Sequence, residues 1–420
     1  MTMTQKYPNK TGAVHSISRR NLLIGAAAGS ASSLSPAGAE VASGKAGTAD
    51  ESARAYVFYG NGPQAGIMTP PQRHIFYMTF DLTTNDRDAL RALLARWSAA
   101  IAQMMKGETI GQVEPARAEA VAPDTGEALN LGPSGLTVTI GLGPDVFTDR
   151  FGLAEKRPAL FRPLMQLPSD ALRPELTGGD LSLQACADDP QVTYHAIRDL
   201  VRIAKNTGTA ATRWTVMGFG RASAGKGQST PRNLFGFKDG TRNIVDPSDF
   251  DEFVWIKEGP EWQIGGTYQV ARKVQMQIEN WDTNRVSHQN AVFGRHKLSG
   301  APLGGRHEFD IPDFTRRGRD GELVIPKTAH ISLAAHENNG GIRILRRSYN
   351  YTDGLNDVGL LDAGLLFISY QNDPAHFEAL QMKLGAADAL NEYITHIGSA
   401  LFFVPPAAIE GTYVGAAVFD

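Results

Sequence analysis

A pattern that occurs twice, half a chain apart, constrains the fold most strongly. Residues 181–190 (LSLQACADDP) and 365–374 (LLFISYQNDP) each predict a strand, a polar turn that ends in Asp-Pro, and a helix whose first turn accepts the proline. The two prolines, Pro190 and Pro374, are 184 residues apart. A strand–turn–helix unit that recurs at this distance indicates an internal duplication.

A second pair of segments recurs in the same order. A predicted strand over 74–82 precedes a helix over 86–105, where apolar residues fall on one face at 3.6-residue spacing. A predicted strand over 267–278 likewise precedes a helix over 284–293. Asp-Pro turns are common, so one recurrence by chance is the alternative. Two recurrences in the same order favour two homologous α+β halves, each an antiparallel sheet with helices on one face.

The N-terminus predicts an export signal. Arg19 and Arg20 precede a short apolar run over 22–28, and Ala37-Gly38-Ala39 offers a small-residue cleavage site. The run is far shorter than the roughly 20 residues that span a bilayer. We therefore predict a signal peptide over 1–39, which resembles a twin-arginine signal for export of folded proteins to the periplasm or the extracellular space. A chance pair of arginines is the alternative.

Composition divides the remaining chain. Residues 40–54 are small and polar and predict a disordered lead-in. The first half is predicted over 55–204 and the second over 236–420. Between them, residues 205–235 are rich in Gly, Ser and Thr and predict a connector without regular structure.

Charge and cysteine content exclude several classes of function. The chain has 41 Lys and Arg against 44 Asp and Glu, a net charge of −3, which argues against nucleic-acid binding by bulk charge. Its single cysteine, Cys186, excludes an intrachain disulfide and a thiolate metal site. The ten histidines are therefore the better candidates for metal ligands.

Two segments of the second half contain residues suited to chemistry. Residues 233–243 (NLFGFKDGTRN) would ordinarily indicate a tight turn around Asp239. Residues 326–351 place His330 in a short alternating run, AHISL, which predicts a strand, and a lone strand histidine is more often a core residue than a ligand. Arg346 follows an apolar pair and by itself predicts a solvated edge charge.

Together, seven blocks resemble the dye-decolorizing (DyP-type) haem peroxidases over roughly residues 55 to 418. In the family's order they are GFKDGTRN, GGTYQVARKVQMQIENWD, FGRHKLSGAPL, AHISLA, ILRRSYNY, GLLFISYQNDP and DALNEYITHIGSALFFVPP. The resemblance implies two ferredoxin-like halves of the dimeric α+β barrel type, with one haem b per chain in the second half. It also implies reduction of hydrogen peroxide coupled to oxidation of an organic electron donor.

The resemblance assigns roles to particular residues. It implies that His330 is the proximal iron ligand, that Asp239 is the distal acid–base residue and that Arg346 is the distal arginine. Further residues are implied to contact haem, namely Gly240 in the turn, Arg295 at a propionate, and the apolar Leu365 and Phe367.

These roles agree with the chemistry of the side chains. A neutral imidazole holds iron and leaves one position open for peroxide. A carboxylate moves a proton between the peroxide oxygens, and a guanidinium stabilises the charge that develops as their bond breaks. Because an ordinary aspartate has a pKa near 3.9, we predict an acidic activity optimum.

Two residue assignments stay open. His336 lies six residues after His330 and is a competing iron ligand, although it begins a polar loop. Glu392 is a candidate hydrogen-bond partner for the iron-binding histidine, with an exposed helix carboxylate as the alternative.

Three functions stay open as well. The exported relatives include deferrochelatases of ferrous-iron uptake, which implies release of iron from haem with the porphyrin intact, together with iron-uptake partner proteins. A non-catalytic haem carrier is the third hypothesis, but a carrier has no need for both Asp239 and Arg346. The resemblance further suggests self-association.

Overall fold

The computed structural model describes residues 51–420, so the predicted signal peptide over 1–39 lies outside the described residues. The first half contains four strands and two long helices in the order βαββαβ. They are β1 (His74–Leu82), α1 (Arg87–Met104), β2 (Thr137–Leu142), β3 (Leu181–Ala187), α2 (Pro190–Thr207) and β4 (Ala210–Arg221).

The second half repeats this order with additional short helices. Its elements are α3 (Pro247–Phe253), β5 (Thr267–Met276), α4 (Ile278–Asp282), α5 (Val286–Phe293), α6 (His330–Ala334), β6 (Leu345–Arg346), β7 (Tyr349–Leu355), β8 (Leu361–Gln371), α7 (Pro374–Ala387), β9 (Ile394–Val404) and α8 (Ala416–Phe419).

Strand order confirms the duplication. Read in the same direction, the first half is ordered β4-β1-β3-β2 and the second β9-β5-β8-β7. Equivalent strands occupy equivalent places, with antiparallel neighbours, which is the ferredoxin-like arrangement. The two Asp-Pro turns occupy equivalent places, because Asp189 caps α2 and Asp373 caps α7, each followed by proline at the first helical position.

The two halves join into a closed barrel. Strand β4 pairs with β7, β2 meets β9 at Leu142 and Phe403, and β5 pairs with both β8 and β9. A buried polar chain links the halves inside this barrel: Tyr77 donates to Gln269, and Gln269 donates to Tyr370 over 2.7 Å. Helix α7 packs against β5 and β8, and the pocket described below lies between this helix and these strands.

Two sequence predictions about local structure are corrected. The predicted connector over 205–235 contains all of β4, whose exposed and buried residues alternate. Because the segment is rich in Gly and Thr, its composition did not indicate this strand, which pairs with β1 and with β7. The run AHISL is one helical turn, α6, rather than a strand, because five residues are too few to distinguish the two periods.

No helix within residues 51–420 is long and apolar enough to cross a membrane.

Candidate active site

One pocket brings together all the catalytic and haem-contacting residues that the resemblance assigned. It lies between the outer face of β5 and β8, helices α6 and α7, and the turn over 233–243. Its apolar walls include Val274, Met276, Phe293, Ile331, Leu365 and Phe367. Its polar lining includes Asp239, Gly240, Arg295, His330, His336 and Arg346.

Asp239 and Arg346 form a hydrogen-bonded ion pair in this pocket. Arg346 Nη1 lies 3.0 Å from Asp239 Oδ1, and Arg346 Nη2 donates to the carbonyl of Thr241 over 3.2 Å. The other carboxylate oxygen, Oδ2, accepts from Asn233 Nδ2 over 3.3 Å. Both charged groups are therefore held in place while about a fifth to a quarter of each stays accessible from the pocket, at 20% for Asp239 and 27% for Arg346.

The turn that carries Asp239 requires glycine at the next position. Gly240 has φ +101°, and a Cβ there would meet the backbone nitrogen of Ala224 at 2.7 Å. Three residues further, Asn243 binds the main chain of Arg346 on both sides. Its Oδ1 accepts from Arg346 N over 2.9 Å, and its Nδ2 donates to Arg346 O over 2.8 Å. Sequence reasoning missed Asn243, although it ends the GFKDGTRN block.

His330 presents one ring nitrogen to the pocket. Its Nδ1 lies 2.6 Å from Asp388 Oδ2, whereas Nε2 has no hydrogen-bond partner in the described part of the chain. Burial lowers the pKa of His330, but the adjacent Asp388 carboxylate outweighs burial, so the pKa lies above its ordinary value. The charges of Asp239 and Arg346 also act on this pKa, which is consistent with their closeness to the imidazole.

The carboxylate partner of His330 is Asp388 and not Glu392. Asp388 is buried at the end of α7, and its Oδ1 accepts from Leu390 N over 2.9 Å. Glu392 is exposed, which agrees with the alternative interpretation of this residue as a solvent-exposed carboxylate. Sequence reasoning missed Asp388, although it begins the DALNEYITHIG block and lies only four residues before Glu392.

The rival histidine is engaged through both ring nitrogens. His336 Nδ1 lies 2.9 Å from Glu337 Oε2, and Nε2 lies 3.1 Å from Arg242 Nη2. Arg242 also donates to both oxygens of Glu337. An iron-binding role for His336 would have to break one of these contacts, whereas His330 already has a free nitrogen.

Arg295 is buried at the edge of the pocket. Its Nη1 donates to the carbonyls of Gly300 and Glu308 over 2.6 Å and 2.9 Å. Burial lowers its pKa to about 10, and the positive charges of Arg242 and Arg346 contribute to the shift. Arg295 is nevertheless cationic at neutral pH, as a partner for a propionate must be.

The donor set of the pocket fits haem. A free imidazole nitrogen, a hydrogen-bonded acid and guanidinium, apolar walls and a buried arginine match the needs of a metalloporphyrin with carboxylate substituents. The fold and this pocket together define a class of protein: duplicated α+β barrels with a peroxidase-type haem site in the second half.

Comparisons with known proteins agree with that class. The C-terminal domain model of the Dyp-type peroxidases matches residues 230–409, and the N-terminal domain model matches residues 64–220. The chain therefore belongs to the Dyp-type peroxidase family.

Curated relatives and solved structures extend over most of the chain. The Deferrochelatase of Escherichia coli (strain K12) is 36% identical and covers 98% of this chain and 99% of its own length. That of Yersinia pestis is also 36% identical, over 88% of this chain and 85% of its own length. The oxyferrous complex of DtpA from Streptomyces lividans is 38% identical, with a TM-score of 0.80 over 88% of this chain and 99% of its own. A DyP-type peroxidase from Streptomyces coelicolor is 39% identical, with a TM-score of 0.81 over 88% of this chain and 98% of its own.

Proposed function

We propose that this peroxidase binds one haem b per chain through His330, reduces hydrogen peroxide and oxidises an organic electron donor. One observation carries the residue assignment: the Asp239–Arg346 pair, with 3.0 Å between its charged groups, shares a pocket with the free Nε2 of His330. A haem carrier would need the imidazole but not this charged pair.

His330 and Asp388 form the iron-binding side of the proposal. Haem, when bound, supplies the redox-active iron. Because Asp388 holds Nδ1, the ring proton stays on that nitrogen and the lone pair of Nε2 is directed into the pocket. Arg295 supplies a fixed positive charge for a propionate.

Asp239 and Arg346 act on hydrogen peroxide. Asp239 takes a proton from one peroxide oxygen and delivers it to the other. That oxygen would leave as water where bound haem supplied the two electrons and kept the remaining oxygen, with the organic donor restoring the electrons; positioned acid–base groups of this kind contribute roughly 10²–10⁴-fold in rate. Arg346 stabilises the negative charge that develops on the departing oxygen. Because both side chains are already anchored, by Asn233 and Thr241, little reorganisation is needed when peroxide arrives.

An absorbance spectrum of the purified protein tests the proposal. We expect a Soret band that is kept in His336→Ala and lost in His330→Ala, and a change in the spectrum when peroxide is added. If haem reconstitution gives no Soret band, the proposal is wrong. If His336→Ala loses haem while His330→Ala keeps it, the ligand assignment is wrong.

Deferrochelation is the second candidate activity. It is supported by relatives named Deferrochelatase that are 36% identical over almost the full chain. It predicts that incubation of the protein with excess haem and a reductant, without peroxide, releases iron and accumulates free protoporphyrin. The fluorescence of extracted porphyrin measures this, and an unchanged haem spectrum over the same period would contradict it.

Export by the twin-arginine route to the periplasm or the extracellular space completes the proposal. The paired Arg19 and Arg20 and the small residues at 37–39 support it. We expect the mature protein to begin near residue 40 and to require both arginines, which N-terminal sequencing and an R19K/R20K variant would test. Iron-uptake partners and self-association are proposed on the family resemblance alone.

A further inference from the structure

A second cluster of ionisable side chains lies in the first half, away from the haem pocket. His195 and Asp199 are one turn apart on α2, and Asp124 lies on the long segment between α1 and β2. All three side chains are buried, at 6% exposure for His195 and 0% for both aspartates. Two buried carboxylates need compensation by a positive charge.

The hydrogen bonds leave the centre of this cluster without a cationic donor. Arg202 donates to the Oδ1 atom of Asp199. Within the described part of the chain, the Oδ2 atom accepts only a long contact of 3.4 Å from the Thr125 backbone. Both oxygens of Asp124 accept from backbone nitrogens, Oδ2 from Ile110 and Oδ1 from Gly126. No arginine or lysine among the described residues is bonded to either Oδ2 atom.

His195 is oriented as a metal ligand is. Its Nδ1 lies 2.9 Å from Glu127 Oε2, which fixes the ring and places the proton on Nδ1. Its Nε2 lies 3.7 Å from Asp124 Oδ2 and 3.6 Å from Asp199 Oδ2, beyond hydrogen-bond distance, and has no other partner within residues 51–420. The free nitrogen of a buried histidine thus faces two buried carboxylate oxygens.

These separations distinguish a shared cation from a hydrogen bond. A proton on Nε2 would draw one of the two aspartate oxygens to about 2.7–2.9 Å. Nitrogen and oxygen ligands at 2.0–2.2 Å from zinc in tetrahedral geometry lie roughly 3.4 Å apart. The observed 3.6 Å and 3.7 Å are closer to the second value.

We propose that His195 Nε2, Asp124 Oδ2 and Asp199 Oδ2 bind a zinc ion, with Glu127 as the residue that orients His195. One histidine and two carboxylates suit zinc, and water completes four-coordination. The ion ties residues 105–136, which contain no long helix or strand, to helix α2. The site shares no residue with the haem pocket, so it does not depend on the proposed peroxidase activity.

Zinc content of the haem-loaded full chain tests the proposal. After EDTA treatment, re-equilibration with zinc and gel filtration, we expect one zinc per chain by mass spectrometry of the metal. D124N and D199N should lose it, while E127Q should bind it about 10–100-fold more weakly, as expected for loss of an orienting partner. H307Q removes an exposed histidine and is the matched control, which should keep the ion.

X-ray absorption at the zinc edge of the unmodified protein decides the case even if a variant fails to fold. One imidazole nitrogen with oxygen ligands is expected. No retained zinc, zinc retention unchanged in both aspartate variants, or a spectrum with two or more imidazoles would overturn the proposal. The Soret band should stay unchanged in D124N and D199N.

Discussion

His330 Nδ1 and Asp388 Oδ2 are 2.6 Å apart, although the two residues are separated by 58 positions in the chain. The contact joins helix α6 to the end of α7 and fixes which nitrogen of His330 reaches the pocket. A buried carboxylate on an imidazole also makes the ring a better electron donor. We therefore expect the affinity for haem iron to depend on Asp388 as well as on His330.

Replacement of Asp388 by Asn should weaken haem binding. Asn keeps an oxygen for the backbone nitrogen of Leu390 but loses the negative charge on His330. By analogy with other metal sites, we expect a loss of about 10–100-fold in affinity. Titration of the haem-free protein with haem, followed at the Soret band, measures this. Glu392→Gln is the control and should bind normally, since Glu392 is exposed; the reverse result would assign the role to Glu392.

Haem uptake by the haem-free protein should fall as the pH is lowered. Asp388 raises the pKa of His330 above its ordinary value, although burial acts in the opposite direction. A protonated imidazole cannot bind iron, so affinity should fall about tenfold per pH unit below that raised pKa. In Asp388→Asn the burial effect remains without the carboxylate, so the onset should move to lower pH. Identical pH profiles for the two proteins would contradict this explanation.

Asp239→Asn should reduce kcat/KM for peroxide by roughly 10²–10⁴-fold without loss of haem, because the amide cannot take up the proton. Arg346→Lys should also lower kcat/KM for peroxide. The guanidinium is planar and pairs with Asp239 through one nitrogen while it donates to Thr241 O through another, and the single ammonium of lysine cannot reproduce this geometry. Stopped-flow absorbance after mixing with peroxide measures both effects. Arg343→Lys, which alters a pocket arginine paired with Asp249, is the control and should react within a few-fold of the parent.

The sequence predicted the duplicated fold because its signals are local. Strand–turn–helix units with Asp-Pro caps recur in both halves, and each unit can be identified from a few neighbouring residues. The connector was wrong because β4 owes its structure to pairing with β1 and β7, which are distant in sequence. The strand predicted at His330 was wrong because AHISL is too short to reveal its period.

Residues of the pocket could be predicted where the family resemblance gives them a role. Asp239, His330 and Arg346 were found through blocks that resemble a family, and the structure places them in one pocket. Asp388 begins one of these blocks but was not singled out, because its contact with His330 depends on how the end of α7 packs against α6. Asn243 acts through main-chain contacts with Arg346, and no composition or spacing rule predicts such contacts.

Arg295→Lys should weaken both haem binding and the loop that follows it. Arg295 Nη1 donates to two carbonyls, those of Gly300 and Glu308. The planar guanidinium can make both hydrogen bonds through this nitrogen while its other N–H groups stay available to a ligand in the pocket. A lysine offers a single ammonium, and burial would favour its neutral form. We expect a reduced Soret absorbance after gel filtration and a lower Tm. Lys297→Arg, nearby in sequence, is the control; unchanged haem retention in Arg295→Lys would refute the propionate assignment.

His396 should make the protein less stable in acid. It is buried on β9, its Nε2 lies 3.2 Å from Gln381 Nε2, and its Nδ1 has no hydrogen-bond partner among residues 51–420. Burial, together with the charge of Arg272, lowers its pKa to about 3. The unfolded chain, with an ordinary histidine pKa near 6.5, therefore binds a proton that the native state does not. Between these two pKa values, the free energy of unfolding must fall as the pH falls.

The His396→Gln variant isolates this contribution. Glutamine can still bond to Gln381 but does not titrate, so the variant should gain on the parent by about 1.4 kcal/mol per pH unit below 6.5, or about 3 kcal/mol by pH 4. Urea unfolding of both proteins at pH 7, 5 and 4 measures the difference, in which the other titrating groups cancel. His307→Gln, at an exposed site, should run parallel to the parent. If the free energy of unfolding of His396→Gln also changes with pH in parallel with that of the parent, His396 is protonated in the native state over this range. If the curves diverge as expected, one buried histidine beside the pocket lowers the stability in the same acidic range in which we predict the activity optimum.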